Sequence, residues 1–169
     1  MKLEIGGGDR NKGGEWINLD ICQTADVRHD LNVIPWPIEN DTAEEIYSSH
    51  CIEHVGSAIE FLRECARIGK AGARVEIRCP DATSEMAMCP GHTHVVSINV
   101  MRHIDHVFPA MYWAPGEKRL RLIQIIPHAD DYWFPLARSK SIFAGWTDED
   151  ILTWVPRTRH ENCFVFRVE

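Results

Sequence analysis

The sequence predicts an α/β fold, with a mostly parallel sheet flanked by helices. Two observations lead to this prediction. Short apolar segments typical of buried strands alternate with turns and with one amphipathic stretch along the first half of the chain. The first two of these segments end in a glycine triplet and in an aspartate, and ligands of α/β sheets bind at such strand ends.

The first half of the chain provides five strands and one helix. The predicted strands cover residues 3–5, 16–20, 25–31, 45–50 and 73–80. Residues 58–68 place apolar side chains at helical spacing, and Gly69 and Gly72 are expected to end that helix before the fifth strand begins.

The glycine triplet at residues 6–8 separates the first two strands. Glycine lacks a Cβ, so backbone N–H groups can approach a ligand closely, and a carboxylate at the next strand end, Asp20, can bind two vicinal hydroxyls. By itself, a glycine triplet is also compatible with an ordinary turn. A dinucleotide-binding motif fits poorly, because Asn11 stands where G-x-G-x-x-G needs its third glycine.

The first crossover is unusually short. Only about ten residues separate Gly6 from Trp16, whereas a parallel crossover needs a dozen or more and usually contains a helix. The sequence therefore predicts a loop or a single turn, and a ligand pocket with one thin wall. Weak ligand affinity, or a wall supplied by a second subunit of a homodimer, would follow.

The second half of the chain is less regular. A short helix and turn at 84–90, strands at 120–126 and 163–168, and a helix beginning after Thr147 are predicted, with Thr147 as N-cap and Asp150 three residues later. We expect residues 82–146 to cover the open edge of the sheet and residues 147–169 to complete a single domain spanning 1–169. The tryptophans predicted to anchor the core or this cover are Trp36, Trp113, Trp133, Trp146 and Trp154.

Composition narrows the class of protein. The chain has 169 residues, of which 44% are hydrophobic, and this suits one globular core. Six cysteines without a C-x-x-C pair indicate reduced thiols and a cytoplasmic location. The net charge of −7 and the lack of a basic stripe argue against strong nucleic-acid binding, and no apolar run or signal peptide suggests a membrane.

Several motifs together resemble a known family. The glycine triplet after the first strand, then INLD, HDL, EEIYSSHCIEHV, a helix and GKAGARVEIRCPDA, are similar in order and spacing to small class I S-adenosylmethionine-dependent methyltransferases, the group often called type 11. The resemblance covers residues 2 to 81. It implies a Rossmann-like sheet that ends in an antiparallel pair of C-terminal strands. It also implies S-adenosylmethionine as cofactor and methyl transfer as the reaction, and it leaves the acceptor open. Arg10 departs from the family, since it replaces the third glycine of Gly-x-Gly-x-Gly.

The resemblance also implies which residues bind the cofactor. In the family the glycine loop holds the methionine end, the acid after the second strand holds the ribose, and an acid and an aliphatic residue after the third strand hold the adenine. The residues so implied are Glu4, Gly6, Gly7, Gly8, Asp20, Ile21, Asp30, Leu31 and Ser49. Asp20 and Asp30 could instead cap turns, and Leu31 could be an ordinary core residue.

His50 and His54 are the candidate catalytic residues. They follow the fourth strand, where ligands of parallel sheets bind, and a histidine with an ordinary pKa of about 6.5 can accept a proton from a hydroxyl or amine. The alternative is a structural role, in which the histidine holds the loop by bonding a backbone carbonyl.

A cluster of cysteines and histidines offers a different interpretation. It comprises Cys79, Cys89, His92, His94, His103 and His106. Zinc sites prefer four ligands with short paired spacings, and this set has no cysteine pair, so we assign no metal ligand. The predicted function is S-adenosylmethionine-dependent methyl transfer to an unidentified small-molecule acceptor. The alternatives are a catalytically inactive module that binds the nucleoside cofactor, and a metal-stabilised interaction protein.

Overall fold

A computed structural model describes residues 1–129, 135, 138–140, 144–154 and 159–169. Seven strands form one sheet in the order β3-β2-β1-β4-β5-β7-β6. They are β1 (Lys2–Ile5), β2 (Trp16–Asp20), β3 (Val27–Arg28), β4 (Ala43–Ser49), β5 (Gly69–Pro80), β6 (Leu120–Ala129) and β7 (Arg159–Val168). Neighbours among β1 to β5 are parallel, and β7 is antiparallel to both β5 and β6. The predicted sheet, with its antiparallel C-terminal pair, is confirmed.

Helical segments connect or flank these strands. The α-helices that the described residues delimit are α1 (Ala58–Ile68), α2 (Ile98–Arg102), α3 (Pro109–Tyr112) and α4 (Asp148–Trp154). Two 3₁₀ turns cover Gly8–Arg10 and Glu85–Met88, and a π-helical turn covers His103–Val107. Among the described residues, no helix is both long and apolar enough to span a bilayer.

Helix α1 forms where the periodicity predicts it, and its ends are capped. Ser57 Oγ accepts a hydrogen bond from the N–H of Glu60 (3.3 Å), and the N–H of Gly69 donates to the Cys65 carbonyl. The helix buries its apolar face on the sheet, and Phe61 meets Trp36 edge to face at 5.3 Å. Burial of each of these two rings stabilises the fold by roughly 1.5–3 kcal/mol.

Two strands of the first half, β3 and β5, depart furthest from their predicted bounds. Only Val27–Arg28 of the expected strand 25–31 pairs with β2. Strand β5 begins at Gly69, directly after α1, although residues 69–72 were expected to form a turn. The pairing with β4 shifts register between Ala43 and Glu45, and Gly72 has a φ of +82°, so an irregular strand accommodates the glycines.

The ladders place apolar and polar residues on opposite faces of the sheet. Side chains that are paired across a ladder point to the same face, and successive side chains alternate. One face carries the buried residues Leu3, Ile5, Leu19, Ile46, Val75, Ile77, Phe164 and Phe166, which form one cluster with the apolar side of α1. The other face carries Lys2, Glu4, Trp16, Asn18, Glu45, Tyr47, Arg74, Glu76 and Arg78.

The short first crossover explains part of that polar face. The link between β1 and β2 contains a single 3₁₀ turn, as predicted, where a helix would otherwise cover the sheet. The Lys12 ammonium lies 3.7 Å from the centroid of the Tyr47 ring, and Trp16 meets Tyr47 at 6.2 Å. Cation–π and aromatic contacts thus replace helix packing here.

The segment between β5 and β6 contributes to the core. Val96, Met101, Ile104 and Trp113 are all buried in the main apolar cluster. The Arg63 guanidinium on α1 donates to the Tyr112 carbonyl (2.6 Å). The predicted cover, residues 82–146, thus includes core side chains and strand β6, and its role over the open edge of the sheet stays a prediction.

The remaining expectations have mixed outcomes. All six cysteines are free thiols, as predicted. Thr147 caps α4 in the predicted manner, because its Oγ1 accepts from the N–H of Asp150 (3.1 Å). Trp36 and Trp113 are buried as expected, but Trp146 is 37% exposed and does not anchor the core. Trp133 lies outside the described residues, as does the side chain of Trp154.

Candidate functional site

A cavity of about 340 Å³ opens where β1, β2 and β4 end. It is lined by Gly6, Asp20, Ile21, Asp30, Leu31, Asn32, His50, Cys51, His54 and Val55. Only Asn32, Cys51 and Val55 among them are not predicted site residues, and each directly follows a predicted one in the sequence. The residues implied by the motif order therefore meet at one place although they come from separate strand ends.

Four predicted cofactor residues do not belong to this lining: Glu4, Gly7, Gly8 and Ser49. Glu4 is buried, and its Oε2 accepts from the N–H of Lys12 (2.5 Å). Ser49 pairs with Arg78 in the ladder and so shares the polar face of the sheet. These two residues therefore lie on the strands beside the cavity and outside its lining.

The glycine triplet uses its backbone donors within the protein. The three N–H groups donate to Leu19 O (2.9 Å), Asn18 Oδ1 (3.1 Å) and Asp20 Oδ2 (2.9 Å). These bonds tie the end of β1 to β2. The sequence predicts that these N–H groups hold the methionine end of a cofactor. That role stays a prediction.

Gly6 is required by packing. Its φ is +73°, and a Cβ at this position would lie 2.3 Å from Cys51 Sγ. Gly8 also has a positive φ, +57°, but a Cβ there would meet no described atom within 4 Å. The triplet thus packs tightly against the loop after β4 at one end and leaves open space at the other.

Asp20 is held at the cavity wall. Its Oδ2 accepts from Gly8 N (2.9 Å) and its Oδ1 from Cys22 N (2.8 Å). A carboxylate oxygen has two lone pairs, so each oxygen retains one acceptor position. The side chain therefore caps a turn, as the alternative interpretation held, and keeps the capacity to bind a pair of hydroxyls.

The loop after β3 forms one wall of the cavity, with Asp30, Leu31 and Asn32. Asp30 Oδ1 accepts from the N–H of Asn32 (2.9 Å), and Asn32 Oδ1 accepts from the N–H of Gly56 (2.6 Å). The indole N–H of the buried Trp36 donates to the Leu31 carbonyl (3.0 Å). This loop is therefore fixed both to the core and to the segment after β4.

His50 has an unusual backbone and an acidic environment. Its φ is +52°, a region that non-glycine residues rarely adopt, and such strain often accompanies functional sites. Its Nδ1 lies 3.4 Å from Glu53 Oε1, and its Nε2 lies 2.9 Å from Glu161 Oε2. The Glu53 carboxylate raises the pKa of His50 above its ordinary value; burial opposes this shift, and Glu161 adds to it.

The neighbouring Cys51 is a packing residue. Burial raises the pKa of its thiol to about 12, and the negative charges of Glu53 and Asp20 act in the same direction. A thiol with so high a pKa stays protonated near neutral pH, so Cys51 is unsuited to nucleophilic chemistry.

His54 turns toward a second loop, which contains His92. The two imidazole rings meet edge to face at 4.6 Å, and His54 Nδ1 lies 3.2 Å from the Gly91 carbonyl oxygen. One potential ligand atom from each of Glu53, His54 and His92 lies within 4.8 Å of the others. Among the described residues, these three therefore form the group that could hold a metal ion.

The cysteine and histidine cluster considered in the sequence does not assemble. His92 is its single member in the described metal-capable group. His103 bonds the Tyr112 hydroxyl (3.1 Å), and His106 lies 3.3 Å from Asp105. Burial raises the pKa of the Cys79 thiol well above its ordinary value. Sequence reasoning missed Glu53 and the pairing of His54 with His92, since that contact joins segments far apart in the chain.

The sheet order and the antiparallel C-terminal pair are those of the class I S-adenosylmethionine-dependent methyltransferase fold. Sequence comparison finds no matching family model and no matching curated protein. Three similar solved structures illustrate the fold. A SAM-dependent methyltransferase from Archaeoglobus fulgidus has a TM-score of 0.60 at 16% identity, over 98% of this chain and 85% of the other.

The [4+2]-cyclase SpnF has a TM-score of 0.58 at 11% identity, over 98% of this chain and 74% of the other. Phosphoethanolamine N-methyltransferase 2 from Haemonchus contortus, in complex with S-adenosyl-L-methionine, has a TM-score of 0.50 at 14% identity, over 98% and 48%. At these identities the likeness shows the fold, and the chemistry has to be argued from the site.

Proposed function

We propose that this protein binds S-adenosylmethionine in the cavity at the ends of β1, β2 and β4 and transfers its methyl group to a small-molecule acceptor. The observation that supports this proposal is the convergence of Asp20, Asp30 with Leu31, and His50 on that one cavity. They come from the ends of three separate strands, and ligands of parallel sheets bind at this edge.

The lining suits a nucleoside with a charged tail. Ile21, Leu31 and Val55 provide apolar walls, and Asp20 and Asp30 provide carboxylates. The volume of about 340 Å³ lies within the usual range for small-molecule sites. When bound, the cofactor would supply an electrophilic methyl group on a sulfonium.

The residues of the chain would act mainly by positioning. The free acceptor positions of Asp20 would bind the ribose hydroxyls, and the fixed loop of Asp30 to Asn32 would hold the base. Methyl transfer is an in-line displacement, and orienting the acceptor against the methyl group can lower the barrier by several kcal/mol. Both ring nitrogens of His50 face carboxylates, Glu53 and Glu161, so His50 would take the proton of a hydroxyl or amine acceptor once Nε2 leaves Glu161.

A second candidate function is nucleoside binding without methyl transfer. Two observations favour it: the glycine N–H groups all bond within the protein, and one 3₁₀ turn replaces the first crossover helix. The likeness to a cyclase also shows that this fold occurs outside methyltransferases. The sequence also predicts that a second copy of the chain could complete the thin wall of the ligand pocket, and this stays a prediction.

Turnover tests the proposal. The protein is incubated with methyl-labelled S-adenosylmethionine and panels of hydroxyl, amine and thiol metabolites, and the labelled product is measured. We expect transfer to at least one panel. His50→Gln should lower kcat roughly 100-fold with nearly unchanged cofactor binding, and His54→Ala is measured beside it.

The outcomes separate the two candidates. Cofactor binding without product on any panel would support the binding module and overturn methyl transfer. Full turnover in both histidine variants would show that the acceptor is positioned without a protein base.

A further inference from the structure

We propose that Glu53, His54 and His92 form a binding site for a divalent transition-metal ion at the edge of the cavity. Their ligand atoms lie within 4.8 Å of one another. This inference does not depend on methyl transfer, because it concerns metal binding alone.

The environment of the Glu53 carboxylate is the strongest argument for a bound cation. The Glu53 side chain is 2% exposed, and neither carboxylate oxygen accepts a hydrogen bond from any described residue. His50 Nδ1 lies 3.4 Å from Oε1 and forms an ion pair with it when His50 is protonated. A buried carboxylate without hydrogen bonds is costly, and a bound cation would compensate that cost.

The two histidines are arranged as ligands require. His92 Nδ1 is buried and has no hydrogen-bond partner among the described residues. His54 Nδ1 bonds the Gly91 carbonyl oxygen, and a proton on Nδ1 leaves Nε2 as a lone-pair donor. A backbone acceptor on the second ring nitrogen is the usual support of a metal-binding histidine.

Backbone bonds hold the two contributing segments together. The Thr93 N–H donates to the Glu53 carbonyl (2.7 Å), and its hydroxyl donates to the Val55 carbonyl (2.6 Å). The His54 N–H donates to the Cys51 carbonyl (2.9 Å), which closes the turn that carries Glu53 and His54. The ligand positions are therefore set by the fold before any ion binds.

The donor set indicates the kind of metal. Two imidazoles and one carboxylate suit Zn²⁺ and similar first-row ions, with a fourth position left for water or a ligand. Mg²⁺ and Ca²⁺ prefer oxygen ligands throughout. Because His54 also lines the cavity, the ion would lie beside whatever molecule occupies that cavity.

Zinc binding is the test. Metal-free protein is titrated with Zn²⁺ against a chromophoric chelator, and bound zinc is counted by mass spectrometry after gel filtration. We expect one equivalent per chain and at least about a 10-fold weaker affinity in Glu53→Gln, His54→Ala and His92→Ala. Mg²⁺ at the same concentration should not compete.

His94→Ala is the matched control. His94 lies in the same loop, two residues after His92, but outside the group, so its variant should bind zinc like the parent protein. His54 is exposed, which makes His54→Ala the variant best suited to retain the fold, and circular dichroism checks each protein. Asp20→Asn should also bind zinc normally, which separates this proposal from cofactor binding.

Two results would overturn the inference. One is a parent protein that binds no zinc above the level of a protein without such a cluster. The other is a folded His54→Ala variant whose zinc affinity equals that of His94→Ala.

Discussion

Gly6 combines two constraints at a single residue. Its φ of +73° is in the region that favours glycine, and an added Cβ would overlap Cys51 Sγ at 2.3 Å. Gly8 has the first constraint without the second, since a Cβ there meets no described atom within 4 Å. The pair therefore separates backbone strain from steric overlap.

We expect Gly8→Ala to lower the free energy of unfolding by about 1 kcal/mol, through backbone strain. Gly6→Ala should cost about 1–3 kcal/mol more, because the overlap with Cys51 adds to the same strain. Urea unfolding of both variants measures the difference. Equal losses would contradict the packing role assigned to Gly6.

At the residue scale, the sequence could indicate which residues meet where chain neighbours carry the signal. Asp20, Asp30 and His50 could be placed together because each lies at or soon after the end of a strand, and strand ends meet at one edge of a parallel sheet. Cys51 against Gly6, and Glu53 with His92, depend on contacts between separate segments. No local pattern encodes those contacts, so the sequence alone did not reveal them.

At the scale of elements, a buried ion pair fixes the loop of residues 35–41 to α1. Glu64 accepts two bonds from the Arg67 guanidinium (both 2.7 Å) and one from the Trp36 N–H (2.6 Å). Arg67 in turn donates to the Trp36 and Ile38 carbonyls. Burial raises the pKa of Glu64, but the bonds from Arg67 and Trp36 outweigh it and lower the pKa below its ordinary value of 4.5.

Glu64→Gln should therefore lower the free energy of unfolding by about 1–3 kcal/mol at pH 7. Because the pKa is lower in the folded state, this stabilisation is present above pH 4.5 and is lost as the pH falls through the folded value. Denaturant unfolding of parent and variant across this range gives the difference.

The matched control is Glu60→Gln. Glu60 pairs with Arg63 at the same spacing on the same helix, but it is 37% exposed against 9% for Glu64, so its loss should cost about 0.5 kcal/mol or less. Equal costs for the two variants, or a difference that does not change with pH, would contradict this account of the loop.

The segment from 82 to 112 gives a second prediction at this scale. Residues 91–95 lie beside Glu53 and His54, whereas Val96, Met101 and Ile104 pack in the core. Hydrogen exchange in 91–95 should slow several-fold when S-adenosylhomocysteine binds, with 96–104 unchanged. Uniform exchange across both parts, with and without the ligand, would identify the whole segment as scaffold.

Element prediction was most accurate where periodicity and capping agree. Helix α1 and the start of α4 have both signals and form where expected. Local sequence patterns did not predict the start of strand β5 or the π-helical turn. Tertiary pairing overrides glycine propensity in the first, and core packing shapes the second.

At the scale of the whole molecule, the fold brings separate strand ends to one cavity. The mostly parallel sheet could be predicted because strands, turns and one helix alternate regularly in the first half of the chain. The contacts across the polar second face, such as Lys12 on Tyr47, could not be predicted, since they join side chains from separate segments.

Calorimetric titration with S-adenosylhomocysteine tests that central proposal most directly. We expect saturable binding to the parent protein and a loss of about 1–3 kcal/mol in Asp20→Asn, whose carboxylate lines the cavity. Asp26→Asn is the control. Asp26 also accepts a hydrogen bond from a backbone N–H, that of Asn18 (2.8 Å), but it does not belong to the described lining. The affinity of this variant should match that of the parent protein. No heat with the parent protein, or equal losses in both variants, would contradict the assignment of this cavity to the cofactor.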